Sequence, residues 1–173
     1  MWVDPAERDD RKWMAAQKWH EGGITHGLSI KQPWLVGIER LGKRVENRTW
    51  KPNVKYVGRR LALHASAKTD PQGEQVIRES VGVQVPADVV LGAVTSTALL
   101  AGWVYRSNGK VERFGEHPAV QDYQFDEWYM EGQYGWVLAD IDRLAEPIPA
   151  KGKLGLWWLP PDVAGVLGQA SCR

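Results

Sequence analysis

The chain has 173 residues, 43% of them hydrophobic and 25% charged, which suits one globular domain with an extension and excludes a fibrous or disordered chain. Its formal net charge is +1, so any affinity for nucleic acid has to come from a local patch, not from bulk charge. No apolar run approaches the ~20 residues of a membrane span. The first residues carry no apolar signal core and the single cysteine, Cys172, allows neither an internal disulfide nor a zinc site, so the chain fits a reducing cytoplasm.

In chain order, residues 1–24 read as a helical extension. Asp4 is placed as a cap, Pro5 at the first helical position, and Trp13, Ala16 and Trp19 lie on one face. The domain is expected over 25–160. "HGLSI" reads as a short strand, followed by a helix in "KQPWLVGIERLG" that turns Leu35, Ile38 and Leu41 to the core and stops at Gly42. "RVENRTW" and "GRRLALHAS" read as strands. "DPQGEQVIRESVG" reads as a helix capped by Asp70, and the apolar, β-branched run "VVLGAVTSTALLAGWVY" as a central strand. Residues 106–126 read as polar loop, "FDEWYMEGQYGW" as containing a helical turn, 134–144 as a strand, and "GKLGLW" as a turn and edge strand. Residues 161–173 read as a loose tail. Strands and helices do not alternate regularly. The expected fold is therefore α+β, built on a small, mostly antiparallel barrel with short flanking helices.

Tryptophan is over-represented, with ten against two phenylalanines. Most should pack in the core, and two or three should face a ligand as flat platforms.

The stretch "GKRVENRTW" is the densest in chemistry. On an extended strand alternate side chains share a face, which groups Arg44, Glu46, Arg48 and Trp50. Lys43 stands at the strand's entrance. A carboxylate between cations either seals one end of a barrel as a paired charge or, because positive charge is in excess, leaves donors for a phosphate or carboxylate. His64 and Ser66 fall on one face of "LALHAS", either as structural hydrogen-bonding groups or as the border of a site. Lys55, Arg59 and Arg60 form a candidate phosphate-binding rim. The histidines 20, 26, 64 and 117 show no metal spacing, and no phosphate loop or dinucleotide fingerprint is present, so neither a metal nor a cofactor is expected. Asp140 and Asp142 read as solvated.

"LSIKQPW", "GKRVENRTW", "RLALHAS" and "YGWVLADIDRLAEPIPAKGKLGLW" occur in an order that resembles the ASCH domain family of the PUA-like superfamily, over about 28–158. Lys43, Glu46 and Arg48 fit its Gly-x-Lys-x-x-Glu-x-Arg signature, with the glycine one place late at Gly42. The resemblance implies a PUA-like barrel whose cleft is lined by the signature, with Trp34, Trp50, His64 and Ser66 joining the ligand-binding set and Arg44 the rim. It implies binding of RNA or of a modified nucleobase. An alternative drawn from the same resemblance is a small hydrolase of modified nucleosides, resembling N4-acetylcytidine amidohydrolases, or a ribonuclease, with Lys43 catalytic. Glu46 stands where the hydrolase pattern has threonine, which tips the reading toward recognition.

Overall fold

The computed structural model describes residues 23–170. Seven strands form one sheet: β1 (His26–Ile30), β2 (Val45–Arg48), β3 (Arg60–Ala65), β4 (Ala93–Ser107), β5 (Lys110–Phe114), β6 (Tyr134–Pro149) and β7 (Leu156–Trp158). Their order is β2-β6-β4-β3-β1-β7, and β5 also pairs with β4. β1 runs parallel to β3, and every other pair is antiparallel. The helices are short: α1 (Trp34–Arg40), α2 (Gly73–Val76) continued by a π turn over Ile77–Val81, α3 (Pro118–Gln121) and α4 (Pro161–Ala170). A 3-10 turn spans Val54–Tyr56. The architecture is thus mixed α+β, with the sheet curled into a half-barrel. No described helix is long and apolar enough to cross a membrane.

The curl has a local cause. β4 is long, apolar and rich in β-branched residues, and it pairs with β3 on one side and β6 on the other. Its register slips three times against β6, between Val94/Ser96, Thr97/Leu99 and Leu100/Gly102, and once against β3, at Leu63/His64, where Thr95 of β4 is the extra residue. Each extra residue bends the strand and increases its twist, so four irregularities roll the sheet. Leu28, Leu35, Ile38, Leu61, Leu63, Leu100, Trp136 and Leu138 pack into one buried cluster. Val45, Ile77, Val104, Val120, Trp128 and Val137 make a second cluster. The edge strands β2 and β7 do not pair with each other, so side chains hold that gap.

Three expectations are corrected. Residues 161–170 are not a tail: α4 starts with Pro161 at its first position and buries Val163 and Leu167 against Ala62, Val94 and Trp157. Residues 106–126 are not all loop. β4 continues to Ser107, turns at Asn108 and Gly109, both at positive φ, and returns as β5, while α3 follows with the His117 side chain capping Ala119 N–H. The helix expected over 70–82 starts only at Gly73, because Asp70 turns its carboxylate to Gln72 N–H and to the Trp34 indole. The helical extension expected over 1–24 falls outside the described residues except for its last two. Ile24 is already buried, so the domain core begins one residue before the expected boundary.

Candidate functional site

The charged strand is shorter than expected, Val45–Arg48, but its faces alternate as the spacing demands. Val45 and Asn47 turn to the segment around Trp128: Val45 joins that cluster, and Asn47 clamps the chain by donating to Trp128 O at 2.8 Å and accepting from Met130 N–H at 2.9 Å. Glu46 and Arg48 turn the other way. Lys43 Nζ donates to Glu46 Oε2 at 2.8 Å, and Arg48 Nη2 lies 3.3 Å from Glu46 Oε1. One carboxylate therefore serves two cations, and the cluster carries a net positive charge. Lys43 is only 2% exposed and Glu46 9%. Burial costs a charge its hydration, and pairing offsets that cost.

Arg48 also reaches across the barrel mouth, donating from Nη2 to Ser29 O in β1 at 2.8 Å. It thereby ties β2, at one edge of the sheet, to β1 near the other. Its Nε is buried and has no hydrogen-bond partner among the described residues. Lys43 Nζ, with three protons, meets one acceptor among them, and lies 5.9 Å from the centre of the Trp34 ring. Trp34 itself is anchored by Nε1–H donating to Asp70 Oδ2 at 2.9 Å.

Trp50 lies past the strand end and is 42% exposed. Its ring stands edge-on to the buried Trp136 at 4.7 Å, and the Trp136 indole N–H donates to Trp50 O. Trp136 is the cross-strand partner of Glu46, which puts the exposed indole beside the charged cluster.

The other expected residues divide. Arg44 does not join the Glu46 face. It is exposed before the strand starts, and it donates to Ile38 O and Lys43 O at the end of α1. There it lines an open cleft of about 600 Å³ with Glu39, Asp140, Asp142 and Arg143. His64 does not pair with Ser66, because β3 ends at Ala65 and Ser66 only donates its backbone N–H to Ile30 O. The parallel register instead sets His64 opposite Ser29. His64 Nε2–H donates to Ala150 O at 2.8 Å, which leaves Nδ1 to accept from Ser29 Oγ–H at 3.2 Å, and Ser29 Oγ accepts from Trp157 Nε1–H. Gly152 packs directly on this ring: a Cβ there would stand 2.6 Å from Ser29 Oγ and closer still to the imidazole. His64 is a latch for the segment after β6.

Of the rim, Arg60 is structural, bonded to Thr97 Oγ1 and Asp140 O. Lys55 and Arg59 stay exposed beside the 3-10 turn. Among the described residues no group of histidine, cysteine, aspartate and glutamate could hold a metal ion.

Ser29, Trp136 and His26 did not stand out in the sequence. Ser29 joins both clusters, by its carbonyl to Arg48 and by its hydroxyl to His64. Its 35-residue separation from His64 gives no local signal; only the parallel β1–β3 pairing reveals it. Comparison with protein-family models and with curated proteins gives no match to this chain.

Proposed function

We propose that the chain recognises nucleic acid, most simply RNA or a modified nucleobase, through the cluster of Lys43, Glu46 and Arg48. The observation that carries this reading is the charge imbalance: two cations share one nearly buried carboxylate, with guanidinium and ammonium donors left over. Spare donors of this kind suit an anionic phosphate or the acceptor edge of a base. Glu46 offers an acceptor to an exocyclic amine. Trp50, exposed next to Arg48, offers a stacking face. The half-barrel and the order of the "LSIKQPW", "GKRVENRTW" and "LALHAS" segments favour a PUA-like, ASCH-type domain as the frame for such a site.

The same geometry favours recognition over catalysis. Lys43 is buried and held on Glu46 at 2.8 Å, which favours a contact role for it over that of a general base. His64 is 2% exposed and covered by Gly152, so no substrate reaches its ring as the structure stands.

The test is a crystal structure after soaking with cytidine, uridine, adenosine, guanosine and N4-acetylcytidine. The reading expects density for a base within hydrogen-bonding distance of Glu46 or Arg48, with its plane against Trp50. A ligand bound elsewhere, or a base hydrolysed in the crystal, would refute it.

A further inference from the structure

A second aromatic surface lies at the far end of β7. Trp157 and Trp158 are neighbours, so the strand sends one inward and one outward: Trp157 is buried and Trp158 is 71% exposed. The exposed ring is not loose. His26, its cross-strand partner in β1, packs against it with the rings tilted by 43° and their centroids 4.2 Å apart, and Tyr56 packs on His26 in turn, tilted by 58° at 4.7 Å. His26 is held from both sides, Nδ1 at 2.8 Å from Thr25 Oγ1 and Nε2 at 3.2 Å from Tyr56 Oη. Lys55 Nζ caps the far side of Tyr56 at 4.9 Å. Lys55 and Arg59 are both exposed and close enough for their charges to act on the His26 ring. A large indole kept in solvent on an aromatic support, next to two exposed cations that no carboxylate neutralises among the described residues, combines what a base and its phosphate require.

The path from the charged cluster is continuous. Trp50 stands 3.8 Å from the Cβ position of Gly155, immediately before β7, and Trp158 ends that strand. Three residue steps, about 10 Å of extended chain, separate the two positions. The segment from 50 to 56 runs alongside, with Trp50 beside Gly155 and Tyr56 beside His26. Two exposed indoles thus lie near the two ends of one short segment, and Lys55 and Arg59 lie at the Trp158 end, beside His26.

We infer that Trp158, backed by His26 and Tyr56 and flanked by Lys55 and Arg59, is a second stacking platform that takes a base of a single-stranded nucleic acid whose phosphates meet the two cations. The inference rests on the proposed reading of the Lys43 cluster in one respect, that the occupant is nucleic acid. It adds that the ligand is a strand and not a free nucleoside.

The experiment titrates the full chain with fluorescent single-stranded RNA and DNA of about ten nucleotides, and separately with free nucleosides. Trp158→Ala should weaken oligonucleotide binding about ten- to hundred-fold and leave nucleoside binding unchanged. Trp158→Phe, which keeps a flat ring, should recover most of the loss. The double variant Lys55→Ala/Arg59→Ala should reduce the slope of log affinity against log salt by about 1.4. Oligonucleotide binding indifferent to Trp158→Ala overturns the inference and leaves the Lys43 reading standing. So does nucleoside binding without oligonucleotide binding. Oligonucleotide binding that depends on Trp158 but not on Lys43→Met supports the platform and refutes the Lys43 cluster. Binding of neither refutes both.

Discussion

Two buried polar clusters meet at Ser29, and they differ in their balance. Around His64 each donor has one acceptor: Trp157 to Ser29, Ser29 to the imidazole, the imidazole to Ala150. That cluster is closed, and Gly152 leaves it no room. Around Glu46 the sum does not close, with two cations on one carboxylate and an Arg48 Nε that meets nothing among the described residues. A polar cluster whose groups satisfy one another holds the fold. One that retains charge and donors has capacity for something else. The nine residues from Gly42 to Trp50 therefore serve both ends: Arg48 bridges the sheet's edges, and the surplus cation is available to a ligand.

Substitutions sharpen this contrast. Glu46→Ala should be the most damaging, since it strands two largely buried cations; about 3–5 kcal/mol of stability is at stake, read by urea unfolding. A loss below about 1 kcal/mol would mean that the cations find water and that the cluster is not truly buried. His64→Ala should cost less, about 2 kcal/mol for the groups left unpaired, and should leave ligand binding at the Lys43 cluster unchanged once folding is confirmed by circular dichroism. A His64 variant that folds but loses the ligand would erase the distinction between the clusters.

A smaller effect comes from pH. Burial, then the charges of Arg59 and Lys55, hold His26 below its ordinary 6.5. As pH falls, the unfolded chain takes up this proton first. The contribution of the neutral ring is therefore complete above 6.5 and is lost as pH falls through the lowered folded value. His26→Gln should flatten the decline of stability below pH 6.5, and an unchanged slope would show that other groups dominate it. Trp158→Ala, mostly in solvent, should change stability by no more than about 0.5 kcal/mol, which is what makes it a clean probe of binding.

The contrast between the clusters also explains what could be read from the sequence. The faces of Glu46 and Asn47 follow from the two-residue period of a strand, so the charged side was legible. The α1 boundaries were legible from Pro33 and Gly42. The partner of His64 was not, because the parallel β1–β3 register chooses Ser29 over the nearby Ser66. The α4 helix was hidden by Gly165 and Gly168, which weaken helix propensity, and it forms because Val163 and Leu167 bury themselves against β3 and β4 neighbours. The β4–β5 hairpin was signalled by Asn108-Gly109, but the charges of Lys110, Glu112 and Arg113 made the returning strand look like loop. Most tryptophans were expected in the core, and of the seven described, Trp103, Trp128, Trp136 and Trp157 are buried while Trp50 and Trp158 are exposed. Which ones would face outward depended on strand register.

The central claim is that Lys43 recognises and does not catalyse. Lys43→Met keeps the side chain's bulk, leaves Glu46 paired with Arg48, and should cost about 2 kcal/mol of stability, so the protein can be assayed folded. The measurement is binding of a single-stranded RNA by the wild type and this variant, with chromatography of the same RNA and of N4-acetylcytidine after incubation. The account predicts binding weakened about ten- to hundred-fold, with neither substrate converted by either protein. Hydrolysis of RNA or of N4-acetylcytidine by the wild type, abolished in Lys43→Met, would contradict it.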